Sequence, residues 1–355
     1  MDSVTIGVVG LGGMGGMHAG NAIAHGADVV AGADVVEDAR ESFEPEYGAE
    51  TYEAYEAMYD AVDPDAVAIT TPNAFHEPAA TAALERDIDV LCEKPLADTL
   101  EAAESIVEAE AESDAFCMVG FHERYSLVGE LFPKHREAGR FGDIRHIEVN
   151  YIRRRGIPGV GSWFTSKDLA GGGALIDIGV HAIDFGLYLA GYPDIEEVSG
   201  VARTDFGTRE NYADPDNMSD QWTTDGVTFD VDDSVNAFIR CANGTTIVLD
   251  AAWATNREDS QEVIVRGTEA GARGRIGGED LEIYETDTTV TDHYLNTAVE
   301  GNVDVHGHEA EMIEFLEGVE AGEAPDMNTI EQALEVQRVI DAIYHSSDEG
   351  QAVRL

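Results

Sequence analysis

The chain has 355 residues, with 21 Lys and Arg against 71 Asp and Glu, and therefore a formal net charge of −50. Such a charge excludes a phosphate-binding surface of the kind that holds nucleic acid. Apolar residues make up 43% of the chain, as in an ordinary globular protein. The length predicts two domains. Because the acidic residues are spread through almost every segment, we expect adaptation to high salt, where screening suppresses their self-repulsion.

Cysteine usage and hydropathy indicate the compartment. Cys92, Cys117 and Cys241 are far apart and lack metal-type spacing, so reduced thiols are expected. The first predicted strand begins at Val4, which leaves no room for a signal peptide. No apolar run approaches the ~20 residues needed to span a membrane. We therefore predict a soluble cytoplasmic protein without a membrane or nucleic-acid partner.

A glycine pattern follows the first predicted strand, Val4 to Val9. It fits G-x-G-x-x-G, and its glycines allow a tight turn, close approach to a pyrophosphate, and helix–strand packing. The pattern follows a strand, opens a helix that runs to His25, and precedes an acid about 20 residues on, which is the required context. It predicts a dinucleotide site whose first residues are Gly10, Gly12, Gly13, Met14 and Gly15.

Asp34 ends the second predicted strand, 28–33. Its carboxylate is expected to accept hydrogen bonds from the adenosine ribose hydroxyls and to repel a 2′-phosphate. The predicted cofactor is therefore NAD, with NADP less favoured. Arg40, the nearest basic residue, is interpreted as a helix-surface charge.

Strands and helices continue to alternate, which predicts a doubly wound parallel sheet. The predicted strands are 66–70, 88–92 and 116–120, and the predicted helices are 52–61, 75–86 and 99–112, the last with Thr99 as N-cap. Residues at the end of the first of these strands are expected to face the cofactor crevice, namely Thr71, Pro72, Asn73 and His76. For His76, an ordinary place at a helix N-terminus is the alternative.

The next strand carries Glu93, Lys94 and Pro95 at its C-terminal end. Ligands of open α/β sheets bind outside the carboxyl ends of the strands, where a lysine is available for proton chemistry. The chain has only three lysines, the others being Lys134 and Lys167. A surface lysine in a loop is the alternative interpretation. A cis bond before Pro95 is expected to set the angle of Lys94.

From Gly142 the pattern changes to that of a mostly antiparallel sheet, with predicted strands 143–153, 196–206, 232–241, 245–254 and 261–267. A helix, about 173–190, follows three consecutive glycines. On it Asp177, His181 and Asp184 share one face. Such a polar stripe is unfavourable to bury unless its members satisfy one another. It is either a structural network or a proton-handling pair aimed at a substrate hydroxyl.

The run His306-Gly307-His308-Glu309 permits a metal interpretation. No cysteine or third histidine lies nearby in the sequence, and Glu309 opens a predicted helix to Glu320. Helix capping is therefore favoured, and no metal site is predicted. The last predicted helix, 329–346, is amphipathic and is expected to pack back on the first domain.

The chain resembles the glucose–fructose oxidoreductase / inositol dehydrogenase family of NAD(P)-dependent oxidoreductases over nearly its whole length. The motifs that carry the resemblance are the glycine fingerprint, Thr71-Pro72-Asn73 with His76, Glu93-Lys94-Pro95, and the run 171–181, GGGALIDIGVH. The resemblance implies an α/β Rossmann domain, 1–122, then an α+β domain with an open antiparallel sheet, 123–325, and a C-terminal helix, 326–355. It also implies that Lys94, Asp177 and His181 are catalytic and that Glu93 supports the cofactor side.

The loop after the first strand of the second half resembles that of members acting on sugars or glycosides. This implies that Arg153, Trp163 and Lys167 touch the substrate, whereas neutralisation of an acidic surface is the alternative for Arg154 and Arg155. Where the family commonly has Asn, this chain has His122, a further titratable group near the nicotinamide and substrate.

The expected function is hydride transfer between nicotinamide and a secondary alcohol of a sugar, glycoside or polyol, which oxidises either a ring alcohol to a ketone or an anomeric carbon to a lactone. The alternatives are a glycosidase that uses NAD transiently and a non-catalytic NAD or sugar sensor. A homodimer or homotetramer formed through the antiparallel sheet is expected.

Overall fold

A computed structural model describes residues 3–215, 226–301 and 303–355. The chain divides into two compact units, the first formed by Met1–Phe121 and His308–Gln337 and the second by His122–Gly307 and Arg338–Leu355. This differs from the predicted division, which places 308–325 in the second domain. The segment belongs to the first unit because its helix packs there, with the rings of Phe116 and Phe315 5.8 Å apart.

The first unit contains a six-stranded sheet in the order β3-β2-β1-β4-β5-β6, in which every pair is parallel. Its strands are β1 (Thr5–Val9), β2 (Asp28–Ala33), β3 (Glu50–Tyr52), β4 (Ala66–Ile69), β5 (Asp89–Cys92) and β6 (Cys117–Val119). Its helices are α1 (Gly13–Ala24), α2 (Glu37–Tyr47), α3 (Tyr55–Val62), α4 (His76–Leu84), α5 (Leu100–Ala111) and α9 (Gly307–Ala321).

The central strands are buried along their length, and β4 is buried at every position. Helices cover both faces of a doubly wound sheet, so its strands become continuous apolar runs. The order reverses at β1, which pairs with β2 on one side and β4 on the other. Ligands of such sheets bind at this switch point, outside the carboxyl ends of the strands. The predicted Rossmann architecture is confirmed, and Thr99 caps α5 as predicted by accepting from the Ala102 amide.

The second unit contains a nine-stranded sheet in the order β14-β13-β12-β11-β7-β10-β9-β8-β15. Its strands are β7 (Ile144–Ile152), β8 (Ile195–Arg203), β9 (Ser234–Cys241), β10 (Thr246–Ala252), β11 (Glu262–Gly267), β12 (Gly271–Arg275), β13 (Leu281–Asp287), β14 (His293–Val299) and β15 (Val353–Arg354). Its helices are α6 (Leu127–Glu137), α7 (Lys167–Ala170) and α8 (Val180–Ala190), and α10 (Ile330–Glu349) is divided between the two units. Among the described strands of this sheet only β7 and β10 pair in parallel, so the predicted mostly antiparallel sheet is confirmed.

One face of this sheet is covered. Helix α8 lies against it with Gly186 close to Val149 and Ile247, and the end of α10 lies against β8 with Ile343 close to Gly200. We call the opposite side the open face. Along each strand, the residues that alternate with Val149, Ile247 and Gly200 in register lie on this open face. They include Glu148, Val201, Phe238, Glu262, Arg266 and Arg273.

The prediction missed β12, β13 and β14. β12 has the sequence GARGR, without the β-branched run that marks a strand. Gly274 within it is packed against Val128, where an added Cβ would lie 3.0 Å from that side chain. Tertiary packing therefore decides the conformation of this strand.

Contrary to the prediction that no apolar run approaches the length of a membrane span, one described helical stretch does. The helical stretch Lys167–Ala190 is long and apolar enough to span a membrane by composition, but 83% of its apolar window is buried inside the protein. Such burial is what the core helix of a soluble protein shows.

Candidate active site

The glycine loop between β1 and α1 is shaped by two positions that exclude a side chain. Gly10 has φ +92°, and a Cβ there would lie 2.9 Å from the main chain of Thr70 and Thr71. A Cβ at Gly15 would collide with the Gly10 carbonyl oxygen. By contrast, a Cβ at Gly12 would meet nothing within 4 Å, so the loop leaves open space where a phosphate group can approach the main chain.

Helix α1 begins at this loop without a side-chain cap from Gly12, and its first turn contains no acidic residue. The first-turn amides of such a helix are a ready anion site. The loop therefore fits the pyrophosphate of a dinucleotide, as predicted from Gly10, Gly12, Gly13, Met14 and Gly15.

Asp34 ties this loop to the end of β2. Its Oδ2 accepts from the Leu11 amide and its Oδ1 from the Val36 amide, both at 2.8 Å. Arg40 donates to the Asp34 main-chain oxygen at 2.6 Å. The interpretation of Arg40 as a helix-surface charge was therefore incomplete, because its guanidinium is held beside the predicted ribose site.

His76 connects two strand-end loops. Its Nδ1 lies 2.9 Å from the Pro95 carbonyl oxygen and its Nε2 2.8 Å from that of Thr71, and the ring is buried. Burial lowers the pKa of His76, against the effect of both carbonyl contacts. The ring is engaged with main chain, so contacts of Thr71, Pro72, Asn73 and His76 with the cofactor stay predictions. The expected cis bond between Lys94 and Pro95 is present.

Glu93 is a buried carboxylate with a partner that the sequence did not reveal. Its Oε1 lies 2.8 Å from Nε2 of His18, which is buried on α1, and its Oε2 accepts from the Lys94 amide at 3.2 Å. Burial raises the pKa of Glu93, but the hydrogen bond with His18 and the neighbouring positive charges bring it down to about 2. Glu93 is therefore ionised.

In the second unit, Asp232 holds the start of the helical segment that carries the other predicted catalytic residues. Its carboxylate accepts from the amides of Gly173 (2.8 Å) and Leu175 (2.9 Å) and from the Tyr344 hydroxyl (2.7 Å). A Cβ at Gly172 would collide with that hydroxyl, and one at Gly173 with the Asp232 carbonyl oxygen. This close approach explains the run of glycines.

Asp177 lies in a π-helical turn, Leu175–Gly179, that leads into α8. The indole Nε1 of Trp253 donates to its Oδ2 at 2.8 Å. His181 is buried, and its ring centre is 5.1 Å from that of His122 and 6.0 Å from that of Tyr151. Asp177 and His181 thus sit among buried aromatic side chains, and Trp253 and Tyr151 are members of this environment that the sequence analysis missed.

Asp184 has partners outside the predicted polar stripe of Asp177, His181 and Asp184. It forms a buried ion pair with Arg124 and accepts from the Tyr192 hydroxyl at 2.8 Å. The structural interpretation therefore holds for Asp184, whereas Asp177 has a different partner.

The loop residues differ in their surroundings. The guanidinium of Arg153 lies 5.6 Å from the ring centre of Tyr151, the neighbour of His181. Arg155 donates to three main-chain carbonyls and covers the Phe206 ring, so it holds the loop. Trp163 stacks on Phe164, and Lys167 is exposed. Substrate contacts of His122, Arg153, Trp163 and Lys167 stay predictions.

Comparison with known proteins defines the class. The family described as "Oxidoreductase family, NAD-binding Rossmann fold" matches residues 4–121, and the "GFO/IDH/MocA C-terminal domain" matches residues 134–273. The chain belongs to the GFO/IDH/MocA family of NAD-binding oxidoreductases.

Individual relatives are carbohydrate dehydrogenases by name. The chain is 32% identical over 313 residues to D-glucoside 3-dehydrogenase of Escherichia coli K12, covering 87% of this chain and 85% of the relative. It is 27% identical to D-xylose 1-dehydrogenase (NADP(+)) 2 of Haloferax volcanii, covering 86% and 84%. The solved structure of levoglucosan dehydrogenase with NADH and L-sorbose has the same fold, with TM-score 0.84 and 23% identity, covering 100% of this chain and 99% of that one.

Proposed function

We propose that this protein is an NAD-dependent dehydrogenase that oxidises a ring secondary alcohol of a sugar or glycoside to a ketone. The observation that carries the proposal is the buried His181 on the helical segment where Trp253 anchors the Asp177 carboxylate. The similarity to D-glucoside 3-dehydrogenase supports a glucoside as the first substrate class to test.

Oxidation of a CH–OH group removes a hydride from carbon and a proton from oxygen. Bound NAD supplies the hydride acceptor, held at the glycine loop and Asp34. In this proposal His181 accepts the hydroxyl proton, and Lys94 at the end of β5 shares in its removal. The Asp177 carboxylate orients the substrate and favours the imidazolium that His181 becomes. His122, Arg153, Trp163 and Lys167 are proposed to contact the sugar.

The test is NADH formation, in molar salt, against glucosides, levoglucosan, xylose and inositols. Lys94→Ala should lower kcat by about 10²- to 10⁴-fold, which is typical of lost acid–base catalysis, and should leave NAD affinity nearly unchanged. Lys134→Ala is the matched control, because the Lys134 side chain is 67% exposed. A Lys94→Ala enzyme with more than half the wild-type rate would remove Lys94 from the mechanism.

The His181→Asn variant tests whether His181 acts as a base or has only a structural role. An imidazole must be neutral to accept the hydroxyl proton, so oxidation should fail at acid pH, where His181 is already protonated. The variant should be slow and should lack this acid limb. An unchanged limb would show that the proton leaves by another group. Release of an aglycone without net NADH formation would identify a transient-redox glycosidase instead.

We also propose a cytoplasmic homodimer or homotetramer that associates through the open face. Val201 and Phe238 are 47% and 38% exposed there, and the same face carries ion pairs such as Arg266–Glu148 and Arg273–Glu262. An apolar patch rimmed by charged residues is typical of protein–protein contact. Phe238→Asp should lower the mass measured by light scattering in molar salt, and an unchanged mass would contradict this face as the interface.

A further inference from the structure

Three separate segments of the first unit bring four titratable side chains together. They come from α1, from the end of β5 and from α9, and one ligand-type atom of each lies within 4.8 Å of all the others. The four residues are His18, Glu93, His308 and Glu311. We call this group the Glu93 cluster.

Imidazole and carboxylate groups alternate along the contacts of the Glu93 cluster. Besides its hydrogen bond with His18, Oε1 of Glu93 lies 3.9 Å from Nδ1 of His308. The same Nδ1 lies 3.3 Å from Oε2 of Glu311. His308 therefore stands between two carboxylates, of which Glu93 is 6% exposed and Glu311 fully buried. Asn328, also buried, places its Nδ2 3.5 Å from the other oxygen of Glu311.

Buried carboxylates are tolerated when close partners compensate the lost hydration. His18 provides a hydrogen bond of this kind for Glu93, and His308 provides a longer ion-pair contact at 3.9 Å. The other oxygen of Glu93 accepts from the Lys94 amide. Glu93 is also packed tightly, since a Cβ added at Gly120 would lie 3.3 Å from both the Oε2 and the Cα of Glu93. Glu93 therefore has little freedom, and the main chain of Lys94 is bonded to it.

We propose that His18 and His308 clamp Glu93 and that the clamped carboxylate fixes the position of Lys94. His18, Glu93 and His308 are then positioning residues, which act through Lys94 rather than on the substrate. The clamp also links helix α1, which follows the glycine loop, to the loop after β5 that carries Lys94, since His18 lies on the buried face of that helix. The inference rests on the proposed role of Lys94.

The kinetic test compares two replacements of His18. Gln keeps a hydrogen-bond donor for Glu93, and Leu does not. His18→Leu and Glu93→Gln should lower kcat on the order of 10²-fold, as for a catalytic group displaced by about 1 Å, with a much smaller change in KM for NAD. His18→Gln should restore most of the rate. Equal losses in His18→Gln and His18→Leu, or wild-type kcat in Glu93→Gln, would overturn the clamp.

A matched control exists in the same pair of elements. His25, just after α1, pairs with Glu309 of α9 at 3.0 Å, and their side chains are 26% and 51% exposed. His25→Gln and Glu309→Gln should keep wild-type kcat, because this pair is solvated and neither residue belongs to the Glu93 cluster. A loss of kcat in these variants equal to that in His18→Leu would assign the effect to general packing of α9 and overturn the clamp.

A second measurement works without substrate. The chain has only three lysines, so acetylation by acetic anhydride can be followed for each one by peptide mass spectrometry, with exposed Lys134 as internal reference. The Lys94:Lys134 labelling ratio should rise severalfold in His18→Leu and Glu93→Gln and stay unchanged in His25→Gln. This readout survives even if no sugar is oxidised, so failure of the proposed function and failure of the clamp are distinguishable.

Metal content completes the test. Two imidazoles and two carboxylates are also a donor set for a divalent cation. The clamp needs none, so elemental analysis of the purified protein should find no stoichiometric metal, and a chelator should not alter kcat or the melting temperature. A full equivalent of zinc or another divalent ion, lost in His308→Asn, would replace the clamp with a metal site.

Discussion

The Trp253 indole donates a 2.8 Å hydrogen bond to one carboxylate oxygen of Asp177. Trp253 is fully buried in β-sheet surroundings just beyond β10, whereas Asp177 is half-buried. The bond therefore fixes the carboxylate from the core side. A buried hydrogen bond to a charged group contributes about 1.5–3 kcal/mol, enough to make Trp253 important although it carries no reacting atom.

Trp253→Phe removes this donor and keeps most of the ring volume. We expect kcat/KM to fall by roughly ten- to a hundredfold, the kinetic equivalent of that hydrogen bond. Asp177→Asn should also slow the enzyme, and the double variant should lose less than the sum of the two, as for residues that act as a unit. Steady-state kinetics of the four proteins complete the cycle. Full additivity would contradict the coupling.

Gly173→Ala tests the close approach of the helix start to Asp232. An added Cβ would collide with the Asp232 carbonyl oxygen, and overpacking typically lowers the free energy of unfolding by about 1–3 kcal/mol. Denaturation in molar salt should show this loss. Gly20→Ala is the control, because an added Cβ at this exposed helical position meets nothing within 4 Å, and it should be neutral or stabilising. Wild-type stability in Gly173→Ala would be the contrary result.

Asp34→Ala should shift the cofactor preference toward NADP. The substitution removes the charge that repels a 2′-phosphate, and it leaves Arg40, now held at the main-chain oxygen of residue 34, as the nearest cation. Because juxtaposed like charges are unfavourable by several kcal/mol, the NADP:NAD ratio of kcat/KM should rise at least about tenfold. Asp38→Ala, on the exposed side of α2, should leave the ratio unchanged. A wild-type preference for NADP would show that the interpretation of Asp34 is wrong.

Glu110 predicts a loss of stability as pH rises from about 4.5 to about 7. Burial raises its pKa to about 7, although the Cys117 amide donates to it and opposes the shift. A carboxyl group with a raised pKa binds more protons in the folded state, so its contribution to stability falls as pH rises from about 4.5 to 7. Glu110→Gln should flatten the melting temperature over this window and raise it at pH 8. Glu108→Gln, exposed on the same helix, should not. An unchanged pH profile in Glu110→Gln would refute the shift.

The net charge of −50 predicts salt dependence. In dilute buffer the screening length is long, so carboxylate repulsion opposes the compact state. The melting temperature should rise by several degrees between millimolar and molar KCl. An equal osmolarity of glycine betaine should not reproduce the whole effect, because betaine screens no charge. Equal melting temperatures at low and high KCl would contradict the account.

Patterns of neighbouring residues in the sequence are enough to predict the parts of the fold that short segments determine. The glycine loop, the acid after β2 and the strand before Lys94 are contiguous signals, and the structure has each of them at the predicted place in the first sheet. β12 was missed because GARGR has no strand signal of its own, and its pairing with β11 and β13 determines it.

The same contrast between local sequence signals and long-range contacts applies to the candidate site. Lys94, Asp177 and His181 stand out by residue type and motif, but their supporting groups do not. His18 lies 75 residues before Glu93, and Trp253 lies 76 residues after Asp177, so no periodicity connects either pair. The sequence neighbours of His308 indicate only helix capping, whereas the fold brings His308 to Glu93 and Glu311.

The first unit is discontinuous, and this has a consequence for synthesis on the ribosome. Residues 308–337 belong to it, so its sheet can form early while Glu93 still lacks His308. The buried carboxylate then waits for translation of residues 122–307 of the second unit before its partner emerges. During that interval the nascent first unit is incomplete at Glu93. Synthesis of His308, rather than completion of the sheet, is the point from which the loop that carries Lys94 can reach its final form.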